Sequence, residues 1–189
     1  MRLPIDLINK INNTPPKHKS FIIGIDGFGG SGKTSLAKLL KQHFEKVTIV
    51  EMDDFYLPSL KRADYQRVKE QVLAPLVNDI PASYQRYDWK TDRMAEWHAI
   101  EPGGVVIIEG SYSTNNDIKS MYDFKIWIEC PQDVGMERGI ARDLTRDKVD
   151  TRNKWINEWM PLEKEYVNAY NPKQYADYIV DGTKIPPSM

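Results

Sequence analysis

Short apolar runs alternate along this chain with stretches in which apolar side chains return every three or four positions. The runs cover residues 21–25, 47–50, 105–108, 124–129 and 178–180. Runs of this length, bounded by polar or glycine-containing segments, predict buried strands. The helical periodicity covers residues 3–11, 36–44, 65–77, 133–146 and 155–170. Strands that alternate with helices in this way predict an α/β fold built on a parallel sheet.

Prolines and aromatic residues mark the segments where this alternation is less regular. Pro15-Pro16 ends the first helix, which we place within residues 1–16, and Pro75 disturbs the last turn of the helix at 65–77. Residues 84–100 are rich in aromatics and are expected to hold short, irregular strands. The sequence has no repeat, low-complexity tract or linker, which predicts a single domain over residues 1–189.

The composition narrows the classes to which the protein can belong. The 189 residues are 41% hydrophobic and 28% charged, with a formal net charge of −1, which is ordinary for a globular domain. There is no basic excess to bind nucleic acid, and no apolar run approaches the roughly 20 residues of a membrane span. Asp6 and Asn9 interrupt the apolar stretch of a signal peptide, and the lone Cys130 cannot form an internal disulfide. We therefore expect a soluble, cytoplasmic protein with neither nucleic acid nor membrane as a partner.

The segment after the first predicted strand has the spacing of a phosphate-binding loop. It fits G-x-x-x-x-G-K-T and reads Gly27-Phe28-Gly29-Gly30-Ser31-Gly32-Lys33-Thr34. Glycines let the backbone aim its N–H groups at phosphate oxygens, and the helix that follows adds the positive end of its dipole. In this pattern Lys33 reaches the β and γ phosphates and the Thr34 hydroxyl binds Mg²⁺. The pattern predicts ATP and Mg²⁺ as cofactors; the alternative is a flexible glycine-rich turn without a ligand.

Two carboxylates follow the second and third predicted strands. Asp53 comes after the strand at 47–50, and Glu109 directly after the strand at 105–108. Ligands of open α/β sheets lie beyond the carboxyl ends of the strands, so both side chains are expected near the phosphates. Asp53 suits a catalytic base that takes the proton of an acceptor hydroxyl, and Glu109 suits the metal. The alternatives are a turn or helix cap for Asp53 and a hydrogen bond within its turn for Glu109.

Three arginines share one face of the helix at 133–146, because they are spaced by four residues. They are Arg138, Arg142 and Arg146. The guanidinium group suits two-point contacts with phosphate oxygens, which makes Arg142 the first and Arg146 the second candidate for contact with ATP. The alternative is a solvated face in which these arginines pair with neighbouring acids.

Aromatic residues gather in the parts of the chain expected near the acceptor. They are Phe55, Tyr56, Tyr84, Tyr87 and Trp89. Such residues suit a flat ring or a sugar, and a position in the hydrophobic core is the equal alternative. Trp155, Trp159 and Tyr166 recur at helical spacing, which favours packing of their helix onto the body of the protein.

From about residue 21 to residue 182 the chain resembles the uridine kinase family, within the wider group that includes phosphoribulokinase and pantothenate kinase. Besides the phosphate loop, residues 53–56 are similar to D-x-F-Y, residues 105–110 to V-V-I-I-E-G, and residues 176–180 to A-D-x-I-I. The resemblance implies the P-loop NTPase fold, with a five-stranded parallel sheet flanked by helices. It also implies that Asp53 is the catalytic base and a metal-shell group, and that Glu109 helps to hold Mg²⁺.

Two further segments resemble the family's lid and acceptor site. Arg142 and Arg146-Asp147 match parts of an arginine-rich lid helix, which implies a lid over about residues 142–154. Tyr87-Asp88-Trp89 resembles Y-D-F, which implies that these three residues, together with Asp53 and Tyr56, contact the acceptor.

The acceptor side also departs from the family. Residues 57–62 contain no Asp in place of the F-D-H-P segment that holds a ribose, and Asp92 lies where the family has a base-reading His. Asp150-Thr151-Arg152 replaces E-R-G in the lid. The leading prediction is phosphorylation of a nucleoside hydroxyl. Nicotinamide riboside, pantothenate and a sugar phosphate stay open as acceptors.

A nucleotide-binding regulator is the alternative from a different functional class. The guanine-reading pattern N-K-x-D is absent, because neither Asn9-Lys10 nor Asn153-Lys154 has an Asp two positions further on. Asp53 and the arginine helix also favour transfer over a hydrolytic switch. The predicted partners are therefore ATP and a small acceptor, and the sequence leaves a homo-oligomer open.

Overall fold

The structure, a computed structural model, describes residues 3–186. Its strands are β1 (Ser20–Gly27), β2 (Val47–Glu51), β3 (Tyr56–Leu57), β4 (Arg62–Ala63), β5 (Ala82–Asp88), β6 (Arg93–Ile100), β7 (Gly104–Glu109), β8 (Phe124–Glu129) and β9 (Tyr178–Asp181). Its main helices are α1 (Ile5–Asn12), α2 (Lys33–Lys41), α3 (65–77), α4 (Gln132–Arg146) and α5 (152–170).

Five strands form the central sheet in the order β2-β7-β1-β8-β9. All neighbouring pairs are parallel, with Ile25 beside Glu109 and Glu51 beside Glu109 in the register. The strands are buried because each reads as a nearly continuous apolar run, which is typical of a parallel sheet covered on both faces. The five-stranded parallel sheet predicted from the sequence is thereby confirmed.

Helices cover both faces of the sheet, and β1 divides its side chains between them. Ile22 packs in one core cluster with the apolar face of α3. Ile23 and Ile25 pack in the other cluster with α1 and α2. This division follows from the alternation of side chains along a strand, and it holds the end of β1 between two packed layers.

Two helices contain a widened turn directly before a proline. In α3 the segment Lys69–Leu73 is π-helical and Pro75 follows it. In α5 the segment Trp155–Trp159 is π-helical and Pro161 follows it. Proline has no N–H to donate and its ring crowds the carbonyl four residues earlier, so a wider turn relieves both problems. The disturbance predicted at Pro75 therefore lies in the turn before it.

The aromatic-rich segment forms a hairpin of two strands of 7 and 8 residues, which are longer than the short strands that the sequence suggested. β5 and β6 pair antiparallel from Ala82 opposite Ile100 to Asp88 opposite Arg93, with one irregularity between Gln85 and Tyr87. β3 and β4 form a second, very short hairpin. Within residues 3–186 no helix is both long enough and apolar enough to span a bilayer.

Candidate active site

The loop from the end of β1 to the start of α2 carries the phosphate-binding pattern. Gly30 has a φ of 68° and Gly32 a φ of 106°, backbone conformations that favour glycine. A Cβ atom on Gly30 would also collide with the backbone carbonyl of Gly135 in α4. The loop therefore combines a left-handed turn with close packing against α4, and glycine satisfies both requirements.

Lys33 is almost fully buried at the start of α2. Its Nζ donates to the carbonyl oxygens of Gly27 and Phe28, each at 2.8 Å. It also donates to Ser111 Oγ at 3.3 Å. The ammonium group is thus held at the mouth of the loop by hydrogen bonds, close to the backbone that the pattern assigns to phosphate.

Thr34 and Glu109 are brought together by the sheet. Thr34 Oγ1 donates to Glu109 Oε1 at 2.7 Å. Glu109 ends β7 and is buried, and this burial raises the pKa of its carboxyl group to about 7, against the opposing effects of the Lys33 charge and the Thr34 hydrogen bond. A cation at this point would favour the ionised form.

Asp53 lies in a short 3₁₀ turn, Met52–Phe55, that follows β2. The turn places Asp53 on the same large cavity as Lys33, Thr34 and Glu109. The cavity has a volume of about 1000 Å³. Most of the predicted site residues also line it: Gly29, Gly30, Gly32, Tyr56, Tyr87, Asp88, Trp89, Arg142 and Arg146. Gly27 and Ser31 belong to the loop but do not line the cavity.

Three of the five predicted acceptor-side aromatics form a cluster on the cavity wall. The ring centroids of Tyr56 and Trp89 are 4.1 Å apart, and those of Tyr56 and Tyr87 are 5.3 Å apart. Trp89 Nε1 donates to the backbone oxygen of Asp53 at 3.2 Å. The Tyr87 hydroxyl donates to the Asp92 carboxylate.

The remaining acceptor-side residues divide between core and surface. Phe55 and Tyr84 stack on each other in the hydrophobic core, as the alternative interpretation predicted. Asp88 accepts hydrogen bonds from the Thr91 hydroxyl and from the Lys90 backbone N–H. Asp88 is thus fixed in its own turn at the rim of the cavity.

The arginines of α4 pair with their own neighbours. Arg142 forms an ion pair with Asp143 at 2.8 Å, and Arg146 forms one with Asp147 at 2.8 Å. Arg138 donates to the backbone oxygens of Gly182 and Thr183. The pairing with Asp143 and Asp147 is the arrangement that the alternative interpretation of this stripe predicted, although all three arginines do line the cavity.

Sequence reasoning missed several polar residues around the loop. Glu163 accepts from the Gly29 backbone N–H and from Ser111 Oγ. Asp26 is buried beside the loop and accepts hydrogen bonds from residues of three segments. Asp26 follows an apolar run just as Glu109 does, which is a signal that could have identified it. Glu163 gave no such signal, because it lies 134 positions from Gly29 in the chain.

The donor set suits a metal that is held mainly by phosphate and water. Within residues 3–186 no group of three or more His, Cys, Asp or Glu side chains could hold a metal ion by itself. Thr34 and Glu109 provide adjacent oxygens, and Asp53 faces the same cavity. Mg²⁺ commonly takes one or two carboxylates together with phosphate oxygens, so these residues fit it.

Comparisons with known proteins find the same family by two routes. Residues 61–185 match the Phosphoribulokinase / Uridine kinase family. A uridine kinase of Streptococcus pneumoniae is 26% identical over 184 residues, which cover 87% of this chain and 86% of the relative.

Two solved structures share the fold. A possible uridine kinase from Bacillus stearothermophilus superimposes with a TM-score of 0.66 at 21% identity, covering 94% of this chain and 97% of that one. A proposed fructose transport system kinase from Silicibacter sp. TM1040 gives a TM-score of 0.62 at 16% identity, covering 91% and 94%.

The family match begins downstream of the phosphate loop, so the loop and the match are independent observations. The match covers well over half of the chain. The sheet order β2-β7-β1-β8-β9 places the loop at the carboxyl end of the central strand, next to Glu109. Family match, loop and sheet agree, and the chain belongs to the phosphoribulokinase/uridine kinase family of P-loop kinases.

Proposed function

We propose that this kinase transfers the γ-phosphoryl group of ATP to a hydroxyl of a small metabolite, and that a nucleoside is the leading acceptor. One observation carries the proposal. A single cavity is lined by the phosphate loop, by the aromatic cluster of Tyr56, Tyr87 and Trp89, and by Asp53. Phosphoryl transfer depends mainly on positioning and charge stabilisation, and this cavity provides groups for both.

The donor side supplies positive charge and backbone donors. The loop N–H groups and Lys33 would hold the triphosphate, and Arg142 and Arg146 would turn from Asp143 and Asp147 to its oxygens. Thr34, Glu109 and Asp53 would hold Mg²⁺, which neutralises charge that develops on the phosphates. Burial raises the pKa of the Glu109 carboxyl group to about 7, and a bound cation would lower that pKa and favour the ionised form.

Asp53 is the proposed base. It would accept the proton of the acceptor hydroxyl as the phosphoryl group arrives. Its backbone is tied to the acceptor side by the hydrogen bond from Trp89 Nε1. This bond supports a role in which Asp53 and the acceptor ring are positioned together.

The aromatic cluster supports a flat ring as part of the acceptor. Trp89 is 46% exposed and Tyr56 is partly exposed, so both rings offer surface to a ligand. Asp88 at the rim is the candidate for contact with a sugar hydroxyl. The relative named uridine kinase covers most of this chain, which is a further reason to test nucleosides first.

A second group of acceptors is favoured by the charges near the cluster. Lys61 and Arg62 line the cavity; Lys61 Nζ lies 3.7 Å from Glu158 Oε1, and Arg62 has no carboxylate partner within residues 3–186. Asp92 accepts a hydrogen bond from the Tyr87 hydroxyl. These features suit a phosphorylated sugar or pantothenate, whose negative charge would face the two cations; nicotinamide riboside is a third alternative.

The test is ATP consumption with a panel of acceptors at fixed Mg²⁺. We expect turnover with uridine or cytidine and strong rejection of their 2′-deoxy forms, because a site that binds a diol is left with unpaired polar groups when one hydroxyl is missing. Turnover with pantothenate or a sugar phosphate alone would contradict the nucleoside proposal and leave the kinase assignment intact, and turnover with nicotinamide riboside alone would exclude the pyrimidine nucleosides.

A pair of tryptophan variants checks where the acceptor binds. Trp89→Ala should lower kcat/KM for the acceptor by about tenfold or more, as expected for loss of one stacked ring. Trp97→Ala is the matched control, because Trp97 lies on the same hairpin, is 60% exposed and does not line the cavity. Equal effects of the two changes would exclude the cluster as the acceptor site.

A further inference from the structure

Glu163 is a buried acid on α5 that contacts the phosphate loop directly. Its carboxylate accepts the Gly29 backbone N–H at 2.9 Å to Oε1 and 3.0 Å to Oε2. Only 6% of the residue is exposed, and burial raises the pKa of its carboxyl group. An acid in such a place must have hydrogen-bond partners, because an unpaired buried carboxylate is strongly destabilising.

The second partner of Glu163 connects it to the loop lysine. Ser111 Oγ donates to Glu163 Oε1 at 2.7 Å. Lys33 Nζ donates to the same Ser111 Oγ at 3.3 Å. Glu163 therefore acts on the loop at two points: directly at Gly29, and through Ser111 on Lys33.

Packing around Gly29 reinforces this contact. A Cβ atom on Gly29 would lie 2.5 Å from the indole of Trp155, and one on Gly139 of α4 would overlap the same indole. Trp155 and Glu163 are both on α5. The helix therefore places an apolar ring and a carboxylate in contact with Gly29 of the loop. The packing of Trp155 on Gly29 sets how closely α5 approaches the loop. The hydrogen bond to Glu163 sets the direction of the Gly29 N–H.

We propose that Glu163 is a positioning residue that sets the conformation of the phosphate loop and of Lys33 for nucleotide binding. This role rests on the proposed use of ATP at the loop and is independent of the acceptor. It differs from a purely structural role, in which Glu163 would stabilise the packing of α5 without affecting how the loop binds phosphate.

Equilibrium binding of ATP, measured without acceptor and well below the unfolding temperature, tests the role. Glu163→Ala should weaken ATP binding by about tenfold, since a hydrogen bond to a charged group is lost. Glu163→Gln should bind within about threefold of wild type, because the amide oxygen can accept from Gly29 and the amide nitrogen can donate to Ser111. Ser111→Ala, which removes one of the two connections, should fall between them.

The matched control is Glu165→Ala, an exposed acid on the same helix, which should bind ATP as wild type does. If Glu163→Ala lowered the unfolding temperature but left ATP affinity unchanged, the role would be structural only. Tighter ATP binding by Glu163→Ala, or an equal loss with Glu163→Gln, would also overturn the proposal. Absence of ATP binding by the wild-type chain would instead remove the proposed function together with this role.

Discussion

Asp53 and Glu109 line the same cavity, but their local surroundings differ. Glu109 is buried at the end of β7 and bonded to Thr34, whereas Asp53 is carried on a 3₁₀ turn beyond β2. A buried acid beside a threonine hydroxyl suits a fixed metal ligand, and an acid on a turn near the aromatic cluster suits proton transfer. The two residues should therefore respond differently to removal of their charge.

For Asp53→Asn we expect kcat to fall by about a hundredfold or more with ATP binding largely retained, because a base acts on the acceptor in the transition state. For Glu109→Gln we expect a higher Mg²⁺ concentration for half-maximal rate. Titration of kcat against Mg²⁺ for both variants measures this. Asp117→Asn is the control, because Asp117 is exposed and does not line the cavity. If neither quantity changed in either variant, both assignments would be wrong.

The end of α4 and the segment after it expose apolar side chains near the cavity. Leu144 and Val149 are each about half exposed, at 53% and 51%. Nearby, Arg142 pairs with the buried Asp143, and Arg146 pairs with Asp147 at the surface. Segments with few buried apolar contacts open at low cost in free energy, and the lid over residues 142–154 stays a prediction to be tested.

Hydrogen exchange with and without a non-hydrolysable ATP analogue tests the lid. Amides in residues 142–154 should gain protection when the analogue binds, because phosphate oxygens would attract Arg142 and Arg146 and order the segment. Amides of β1 serve as the internal control, since they are bonded within the central sheet in either case. Identical exchange of 142–154 in both samples would contradict a nucleotide-dependent lid.

The secondary-structure elements differ in how well the sequence predicts them. The five strands of the central sheet were predictable because each contains a local apolar run, and Glu109 was predictable because it ends one of them. The hairpin β5–β6 was harder to predict, because β6 is half exposed and its apolar residues do not form a run. The role of Glu163 was not predictable, because its contact with Gly29 depends on how α5 packs against the loop. No pattern in the sequence near residue 163 indicates that packing.

Across the whole molecule, Asp26 connects segments that are distant in sequence. Its carboxylate accepts from the backbone N–H groups of Gly27, Tyr112 and Thr114, and from the hydroxyl groups of Thr114 and Tyr166. These donors belong to the loop, to the segment after β7 and to α5. Burial raises the pKa of the Asp26 carboxyl group, and the hydrogen bonds oppose that rise.

Removing one of these donors should lower global stability. Tyr166→Phe should reduce the free energy of unfolding by about 1–3 kcal/mol, because a buried carboxylate loses a hydrogen bond. Tyr170→Phe is the control: this tyrosine is on the same helix, and its hydroxyl has no hydrogen-bond partner within residues 3–186. Denaturant unfolding measures both, and equal stability of the two variants would show that the Tyr166 hydroxyl contributes little.

The position of β1 at the centre of the sheet has a consequence for the order in which the protein can fold during synthesis. β1 leaves the ribosome well before its two neighbours, β7 and β8, which begin at Gly104 and Phe124. Until those residues emerge, the apolar β1 has no strand to pair with, and the nascent chain must keep it covered or bound to a chaperone. Pairing between strands so distant in sequence also slows folding, since long loops must close first. Once residues 104–129 have emerged, β1 can pair on both sides, and the phosphate loop that follows it is then anchored to the sheet.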